Sequence, residues 1–579
     1  MTPNEAALRP FAYALVILLA AHWFSLVQET VPEPYLDEVF HVRQAKNYVQ
    51  GKWNIWDPKI TTPPGLYLWS YLIALPQQAF EFGPIQTTFF RVTNLGGALL
   101  LPWVLRNILF SLAKIDDKNE SSNANSVVSW STAELVHAAV NICLFPPLFF
   151  FYGLYYTDVL SAFTVLVAYR CYLENEHKLW IFLSGVISLL FRQTNSLWVS
   201  VFLGGLAFCR SIRKGRPDVE FSNQSTFRET LQASWNHALA YDPPISEARF
   251  EDYINSGLSF AVAGAADLST ALWPLTPYLI LLYSFALFVY LNGGIVLGDK
   301  ENHVVSIHLA QMLYVWPSFV FFSLPLLYPY IVNIAIPSTL LPEASRISSA
   351  CSRWPRAFVA IPILAVMIAI AHYNTLVHPF TLADNRHYTF YVFRILLRHS
   401  AVKYLAVPIY FLCAWAAIAA LGGQQVKKAP SQASPQHSAS SKKTTRNTDT
   451  NKVQSPPLPP SGSRASFVLV WLLATTVSLV STPLVEPRYF IVPWLMWRLN
   501  IAPIRLNNTI SAGSTPSISN DSDWQGIETV QGILYKWHDH RLWLETVWFL
   551  LINAVTGYIF LNWGFEWPQE PGKVQRFMW

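Results

Sequence analysis

The chain has 579 residues, of which 52% are hydrophobic and only 13% are charged. Soluble domains carry roughly 25% charged residues, which excludes a water-soluble surface over so large an apolar mass and predicts a polytopic membrane protein. The net charge of +5 lies in a few loops, which excludes the folded basic face of a nucleic-acid-binding protein.

Apolar segments long enough to cross a bilayer recur along the chain, and they predict a single all-α, membrane-embedded domain over residues 1–579. The segments at 178–211 and 305–341 are each long enough for one broken span or two short ones, which gives about 12 to 14 transmembrane helices. Pro325, Pro329 and Pro337 are expected to kink or break the second of these. The predicted spans lie near 11–28, 65–82, 92–113, 133–152, 156–173, 178–211, 274–291, 305–341, 357–376, 402–421, 465–483, 489–503 and 545–563.

Basic residues in three loops predict the orientation of the chain. These loops are 212–273, the stretch around Arg346, Arg353 and Arg356, and a Ser/Pro/Lys-rich segment at 422–464 that we expect to be a disordered basic linker. All three fall on the same side, which the positive-inside rule assigns to the cytosol. The loops beginning near Glu29, Gly293, His378 and Pro483 then lie together on the lumenal side. Of the four Asn-x-Ser/Thr sites, only Asn119 falls in a predicted lumenal loop.

The first lumenal loop, 29–64, predicts a short amphipathic helix that starts after Pro34 and ends at Gly51. Asp37, His41, Gln44 and Tyr48 are spaced by four, three and four residues, which places them on one helix face. A helix at the membrane interface can hold such a carboxylate over the mouth of a bundle. The alternative is that Asp37 or Glu38 caps the helix, and the two interpretations are compatible.

Three further lumenal clusters contain polar side chains suited to binding an anion. The glycine-rich turn 293–303 could cradle an anion through its amides, and a plain loop is the alternative. In 378–388, Arg386 and His387 suit a phosphate, unless Asp384 and Arg386 simply pair in a solvated loop. A local Glu486–Arg488 pair anchoring the interface is the alternative in 483–490. The predicted binding residues in these clusters are Asp299, His303, His378, Asp384, Asn385, Arg386, His387, Tyr388, Glu486, Arg488 and Tyr489.

Arg192, Gln193 and Asn195 interrupt an otherwise apolar segment, and we expect them to face the protein interior or a polar cavity. The cysteines lie in or beside apolar segments without paired spacing, which indicates small membrane hydrophobes rather than disulfides or zinc ligands. Asp37, Glu38 and His41 could bind a cation in principle, but no HExxH or CxxC motif accompanies them, and we expect no metal and no cofactor. The cysteines are Cys143, Cys171, Cys209, Cys351 and Cys413.

Several of these segments resemble one enzyme family, and they match it in order along almost the whole chain. The first are Tyr35–His41 and Trp56–Tyr67, and the others are Phe191–Asn195, Gly298–Asp299, His378–Phe380, Ala383–Tyr391, Glu486–Phe490 and Arg576–Trp579. They resemble the dolichyl-phosphate-glucose α-1,2-glucosyltransferases, which add the third and terminal glucose to the dolichol-linked oligosaccharide. The linker at 422–464 is longer than the family's pattern, on the side away from the predicted site.

The resemblance implies a membrane-embedded glycosyltransferase fold of the GT-C type in the endoplasmic reticulum, with a lumenal active site. Dolichyl phosphate glucose would be the donor, and the diglucosylated dolichyl-diphosphate-linked oligosaccharide would be the acceptor. The catalytic base would be Asp37, with Glu38 as the second choice, and the reaction would invert the anomeric configuration. Arg386, His387 and Arg488 would stabilise the leaving phosphate, while the lipid chain of the donor lies among the spans.

Two other functions stay open at this point. A transferase that uses dolichyl phosphate mannose would share the fold and the acidic residue. A transporter or channel component is compatible with the broken spans and with Arg192, although the sequence lacks a charge ladder or repeat symmetry.

Overall fold

The computed structural model describes residues 3–80, 83–120, 131–214, 226–300, 307–336, 355–376, 379–422, 463–482, 484–502 and 538–579. Cys351, His303, His378 and nearly all of the predicted linker 422–464 lie outside these residues.

Helices dominate the described part of the chain, where we number twenty-one of them in order. They are α1 (Pro3–Thr30), α2 (Glu38–Val49), α3 (Gly65–Ala79), α4 (Thr87–Glu120), α5 (Thr132–Cys143), α6 (Pro146–Phe150), α7 (Asp158–Leu173), α8 (Lys178–Leu189), α9 (Leu203–Lys214), α10 (Phe227–His237), α11 (Phe250–Ala266), α12 (Leu268–Leu272), α13 (Thr276–Asn292), α14 (Gln311–Ala335), α15 (Ala357–Tyr373), α16 (Pro379–Ala383), α17 (Tyr388–Leu396), α18 (Ser400–Leu421), α19 (Ala465–Val480), α20 (Ile491–Leu499) and α21 (His540–Asn562).

A few shorter elements complete the fold. The π-helical turn Leu197–Phe202 leads into α9, and 3-10 turns lie at Phe151–Gly153, Trp273–Leu275 and Pro487–Phe490. After α21, strands β1 (Phe565–Trp567) and β2 (Glu570–Gln575) form an antiparallel hairpin in which Phe565 pairs with Gln575.

The predicted all-α membrane fold is confirmed. Among the described residues, six helical segments are long and apolar enough to cross a bilayer, or seven if the bent α5–α6 pair, which turns by 57°, is one span. Three shorter apolar helices are α8, α15 and α19. The full count of about 12 to 14 spans stays a prediction. The six segments are Ala12–Thr30, Thr87–Lys114, Leu268–Asn292, Gln311–Ala335, Ser400–Leu421 and His540–Asn562.

The predicted span at 65–82 is wrong, because α3 folds back along α2. Gln78, near the end of α3, donates its side-chain amide to the main-chain oxygen of Val49 at 3.1 Å. The chain then returns to the start of α2, where Arg91 of α4 pairs with Glu38. One face of α3, with Leu66, Tyr67 and Ala74, packs in a small core with α2 and the start of α4, whereas Leu72 and Leu75 on another face are exposed.

The long segment at 178–211 forms two helical segments, which agrees with the alternative of two short spans. α8 runs to Leu189, the chain breaks at 190–196, and the π-helical turn and α9 run on to Lys214. This extra pass offsets the missing one at α3, and the sides that the sequence assigns to the loops after 211 therefore need no revision and stay a prediction.

Asn119 does not keep its predicted side. α4 starts beside the first loop at Arg91, and its 34 residues extend about 50 Å to Asn119 and Glu120. Asn119 therefore lies at the end of the bundle opposite the first loop, and its predicted place on the same side as that loop is wrong.

The predicted kink at 305–341 is confirmed within α14. The backbone leaves helical geometry at Ser323, two residues before Pro325, because the proline ring clashes with the preceding turn and removes a donor. The helix continues through Pro329 to Ala335, and Pro337 lies outside the described residues.

The predicted loop 212–273 is largely helical, since α9 extends into it and α10, α11 and α12 follow. Thr226 and Glu229 begin α10 with a reciprocal capping box, in which each side chain accepts from the other's main-chain N–H.

Buried ion pairs fasten α21 to the rest of the bundle at the end opposite the first loop. Arg498 of α20 forms a two-pronged pair with Glu545 of α21 at 2.7 and 2.8 Å, and both side chains are fully buried. Arg541 pairs with Asp539 and also donates to the main-chain oxygen of Leu326 in α14. These pairs hold α21 firmly in the bundle, and the hairpin and the last residues therefore follow a helix of fixed position.

Candidate active site

Side chains from the predicted lumenal loops converge on one cavity of about 480 Å³ at the end of the bundle that carries α2. We call this the site end. Eleven of the eighteen predicted site residues line the cavity, although they come from distant parts of the sequence. They are Asp37, His41, Arg192, Gln193, Asp299, Asp384, Arg386, His387, Glu486, Arg488 and Tyr489.

Asp37 is held at the start of α2 with its carboxylate in the cavity. Its main-chain N–H donates to the hydroxyl of Tyr156 at 3.2 Å, and the preceding Leu36 has a φ of +52°. This left-handed conformation costs an L residue roughly 1–2 kcal/mol, which the surrounding contacts offset. Asp37 occupies the N-cap position, but its side chain makes no capping hydrogen bond. Its side chain is 49% exposed and available to a ligand.

Glu38 lies outside the cavity and anchors the first loop, which argues against its use as the second catalytic carboxylate. Its carboxylate and the guanidinium of Arg91 are both fully buried and lie 2.6 Å apart. It also accepts the main-chain N–H of Tyr35 and of Tyr155. Arg91 in turn donates to the main-chain oxygens of Val31 and Glu33. The pair therefore fixes the chain on both sides of Asp37.

Arg488 lies between two carboxylates. Its Nη1 is 3.2 Å from Oδ2 of Asp37, and its Nε donates to Glu486. Burial works to raise the pKa of Asp37, but the charge of Arg488 holds it below its ordinary value. Burial also lowers the pKa of His41 to about 4, and the ring is therefore neutral at neutral pH, with its Nδ1 2.7 Å from the Tyr67 hydroxyl. Asp37 is thus an ionised carboxylate beside a cation.

A second guanidinium, that of Arg192, also lies beside Tyr489. Arg192 pairs with the buried carboxylate of Asp158 at 3.1 Å. The guanidinium carbons of Arg192 and Arg488 are each 5.7 Å from the centre of the Tyr489 ring. Gln193 donates to the main-chain oxygen of Thr61 at 2.6 Å, which ties this broken segment to the first loop.

Arg386 and His387 form a third cationic corner of the cavity. Asp384 receives two hydrogen bonds from the Arg386 side chain, at 2.7 and 2.9 Å, and the guanidinium lies 4.2 Å from the centre of the Trp567 ring. Burial tends to raise the pKa of Asp384, but these bonds lower it below its ordinary value. Asp384 and Arg386 therefore form the predicted local pair and also line the cavity.

The glycine-rich turn packs against the Trp56–Tyr67 segment of the first loop. Asp299 donates its main-chain N–H to the oxygen of Pro58 at 2.9 Å, and Leu297 donates to Thr61 at 3.1 Å. Gly298 lies so close to the oxygens of Pro58 and Ile60 that any Cβ would collide with them. This close approach explains why a glycine stands at position 298, and it places Asp299 at the cavity.

Four other predicted binding residues have supporting contacts instead of cavity positions. Gln44 bridges Ile55 and Asp57 of the first loop by two hydrogen bonds. The predicted face of α2 therefore divides: Asp37 and His41 line the cavity, whereas Gln44 and Tyr48 brace the loop. Tyr48 packs on Trp53 and Tyr67, Asn385 accepts from Trp567, and Tyr388 packs on Trp579.

Some residues of the cavity were not predicted. Tyr156 and Ser161 line it, and Asp158 orients Arg192, whereas Asn195 lines it as expected. The signal for Asp158 was present in the sequence, because an acidic residue inside a predicted span is a functional suspect. Tyr156 has no such signal, since an aromatic residue at a span boundary is common.

The chain matches the model of the DIE2/ALG10 family over residues 31–499. It is 40% identical, over 98% of each chain, to the Dol-P-Glc:Glc(2)Man(9)GlcNAc(2)-PP-Dol alpha-1,2-glucosyltransferase of Aspergillus fumigatus. Proteins of the same name in Emericella nidulans and Homo sapiens are 42% and 29% identical, again over 98% of each chain. No solved structure matches the chain.

Proposed function

Because the chain belongs to the DIE2/ALG10 family, we propose that it transfers glucose from dolichyl phosphate glucose to the diglucosylated dolichyl-diphosphate-linked oligosaccharide. The new bond is α-1,2, to the 2-hydroxyl of the terminal glucose. One observation carries the proposal most: relatives named for this reaction match the chain over 98% of its length. A cavity that combines apolar side chains with a half-exposed carboxylate and arginines, within an apolar bundle, suits a lipid-linked sugar phosphate.

Asp37 is the general base in this mechanism. Its carboxylate accepts the proton of the acceptor 2-hydroxyl while that oxygen bonds to the anomeric carbon of the donor glucose. The bond from this carbon to the phosphate oxygen breaks, and its electron pair leaves with dolichyl phosphate. A single displacement converts the β-linked donor into an α-linked product. Because the leaving group is already a phosphate anion, no strong general acid is required.

Arg488, Arg386 and His387 stabilise the charge that grows on the leaving phosphate. Arg488 has a second role, since it forms an ion pair with Asp37. A donor phosphate that draws this guanidinium away weakens the pair and raises the pKa of Asp37, which makes it a stronger base. Donor binding and base strength are thereby coupled.

The proposed location is the membrane of the endoplasmic reticulum, with the cavity open to the lumen. The support is the sequence topology, since the positive-inside rule assigns the three predicted basic loops to the cytosol and the loops that form the cavity to the opposite side. Membrane lipid surrounds the apolar helices, and the donor's dolichyl chain lies between them.

The test is a reconstituted reaction with purified protein, diglucosylated acceptor and either dolichyl phosphate glucose or dolichyl phosphate mannose. We expect a triglucosylated product from the glucose donor alone, and its new bond should have the α configuration. Transfer of mannose would instead support the related mannosyl reaction. Failure with both donors in detergent, where no gradient exists, would reject the transferase and favour a transport role.

A further inference from the structure

The segment Gln575–Trp579, which starts at the last residue of β2, runs between two of the loops that form the cavity. Tyr35 in the first loop donates its hydroxyl to the main-chain oxygen of Arg576 and accepts the N–H of the same residue, both at 2.7 Å. Met578 donates its N–H to the oxygen of Arg386 at 2.9 Å, and Tyr388 donates back to Met578 at 3.3 Å. The segment therefore bonds to the Asp37 loop on one side and to the Arg386 loop on the other.

The same segment also contacts the side chains of Arg386 and His387. Gln575 accepts from Nη1 of Arg386 at 2.9 Å, and the main-chain oxygen of Trp579 lies 3.3 Å from Nδ1 of His387. The other ring nitrogen of His387, Nε2, lies 3.8 Å from Oδ2 of Asp384, and the segment and Asp384 therefore contact opposite sides of the imidazole.

The segment is fixed at both ends. The side chain of Arg576 donates to the main-chain oxygens of Phe560 and Leu561, two carbonyls in the last turn of α21 that have no partner within the helix. The Trp579 ring packs against Phe322 of α14 and Tyr388 of α17, with centroids 5.4 and 4.9 Å apart. Met578 is 1% exposed and lines the cavity. A segment anchored in this way can hold both loops at fixed positions relative to the helix bundle.

We propose that Gln575–Trp579 is a positioning segment, which holds Arg386 and His387 at a fixed distance from the Asp37 loop. It is required for tight use of the donor phosphate, and in this respect the inference rests on the proposed function. The segment acts through other residues and takes no part in proton transfer. Without the segment, Arg386 keeps its ion pair with Asp384, but the Arg386–His387 loop is no longer held at a fixed position relative to Asp37.

The test removes residues 577–579 from the otherwise full chain and compares donor titrations at saturating acceptor. We expect the donor KM to rise at least about tenfold, because misplacement of about 1 Å in a binding group costs up to about a hundredfold. Adding His387→Ala to the shortened chain should cause little further loss, because both changes disable the same contact. Losses that multiply in the double variant would contradict positioning and indicate a general structural role.

A second readout does not depend on activity. Amide hydrogen exchange at 384–388 should be faster in the shortened chain, while exchange in α19 stays as in the full chain. If the shortened chain does not fold, Tyr35→Phe removes only the hydroxyl that binds Arg576, with Tyr558→Phe on the exposed face of α21 as the matched control. Unchanged donor KM together with unchanged exchange at 384–388 would overturn the inference. Inactivity of the full-length enzyme with dolichyl phosphate glucose would instead reject the proposed function, and the exchange experiment would still test the segment.

Discussion

Replacing Glu38 by glutamine should destabilise the protein strongly, whereas its neighbour Asp37 is the proposed base. Glu38 accepts four hydrogen bonds, two from Arg91 at 2.6 and 2.8 Å and two from the main-chain N–H groups of Tyr35 and Tyr155. Glutamine keeps one of the two oxygens and presents an amide donor where donors already point. Because Arg91 is fully buried, the change leaves its charge without compensation, which costs about 3–5 kcal/mol.

The assay is unfolding in detergent, followed for Glu38→Gln and for two controls. Asp37→Asn should lower the free energy of unfolding by less than about 1 kcal/mol, since that side chain is half-exposed. Glu251→Gln removes an exposed partner of Arg356 at 3.9 Å and should have a similarly small effect. A Glu38→Gln protein of normal stability that fails to transfer glucose would refute the anchoring role and point to Glu38 as the base.

Three further predictions concern the same cavity. Arg488→Gln should raise the pKa of Asp37, because burial then acts without the opposing charge, and the acidic limb of the kcat/KM profile should move to higher pH; an unmoved limb would argue against the pairing. Burial lowers the pKa of His41 from 6.5 to about 4, and the unfolded chain therefore binds a proton that the folded chain rejects. Stability should rise with pH between these values and level off above them, and His41→Gln should flatten that slope in unfolding experiments. Gly298→Ala should reduce transfer by up to about a hundredfold, since the new Cβ displaces the turn, whereas Gly294→Ala, with no contact closer than 3.8 Å, should be nearly normal in the same assay.

Much of the cavity could be predicted because its polar and charged residues stand out in sequence beside long apolar segments. Charged side chains near hydrocarbon are costly, and this predicts roles for Arg192, Glu486 and Arg488. Helix spacing instead predicts Asp37, and the suitability of a guanidinium for phosphate predicts Arg386. The structure brings them together at one end of the bundle.

The remaining features depend on tertiary contacts that local sequence does not encode. The hydropathy of α3 is the same whether lipid or α2 covers it, and a span was therefore predicted where the chain folds back. Glu38 and Asp37 are adjacent and chemically alike, and only the distant Arg91 separates an anchor from an exposed carboxylate. The contacts of Arg576 with Tyr35 join residues 541 positions apart, which no periodicity could reveal.

The most direct test of the account is the transfer rate of purified Asp37→Asn enzyme with dolichyl phosphate glucose and diglucosylated acceptor. Asparagine keeps the shape of the side chain and cannot take the proton, and the rate should fall at least about a hundredfold while the protein stays folded. Turnover close to that of the unsubstituted enzyme would contradict the central claim that this carboxylate activates the acceptor.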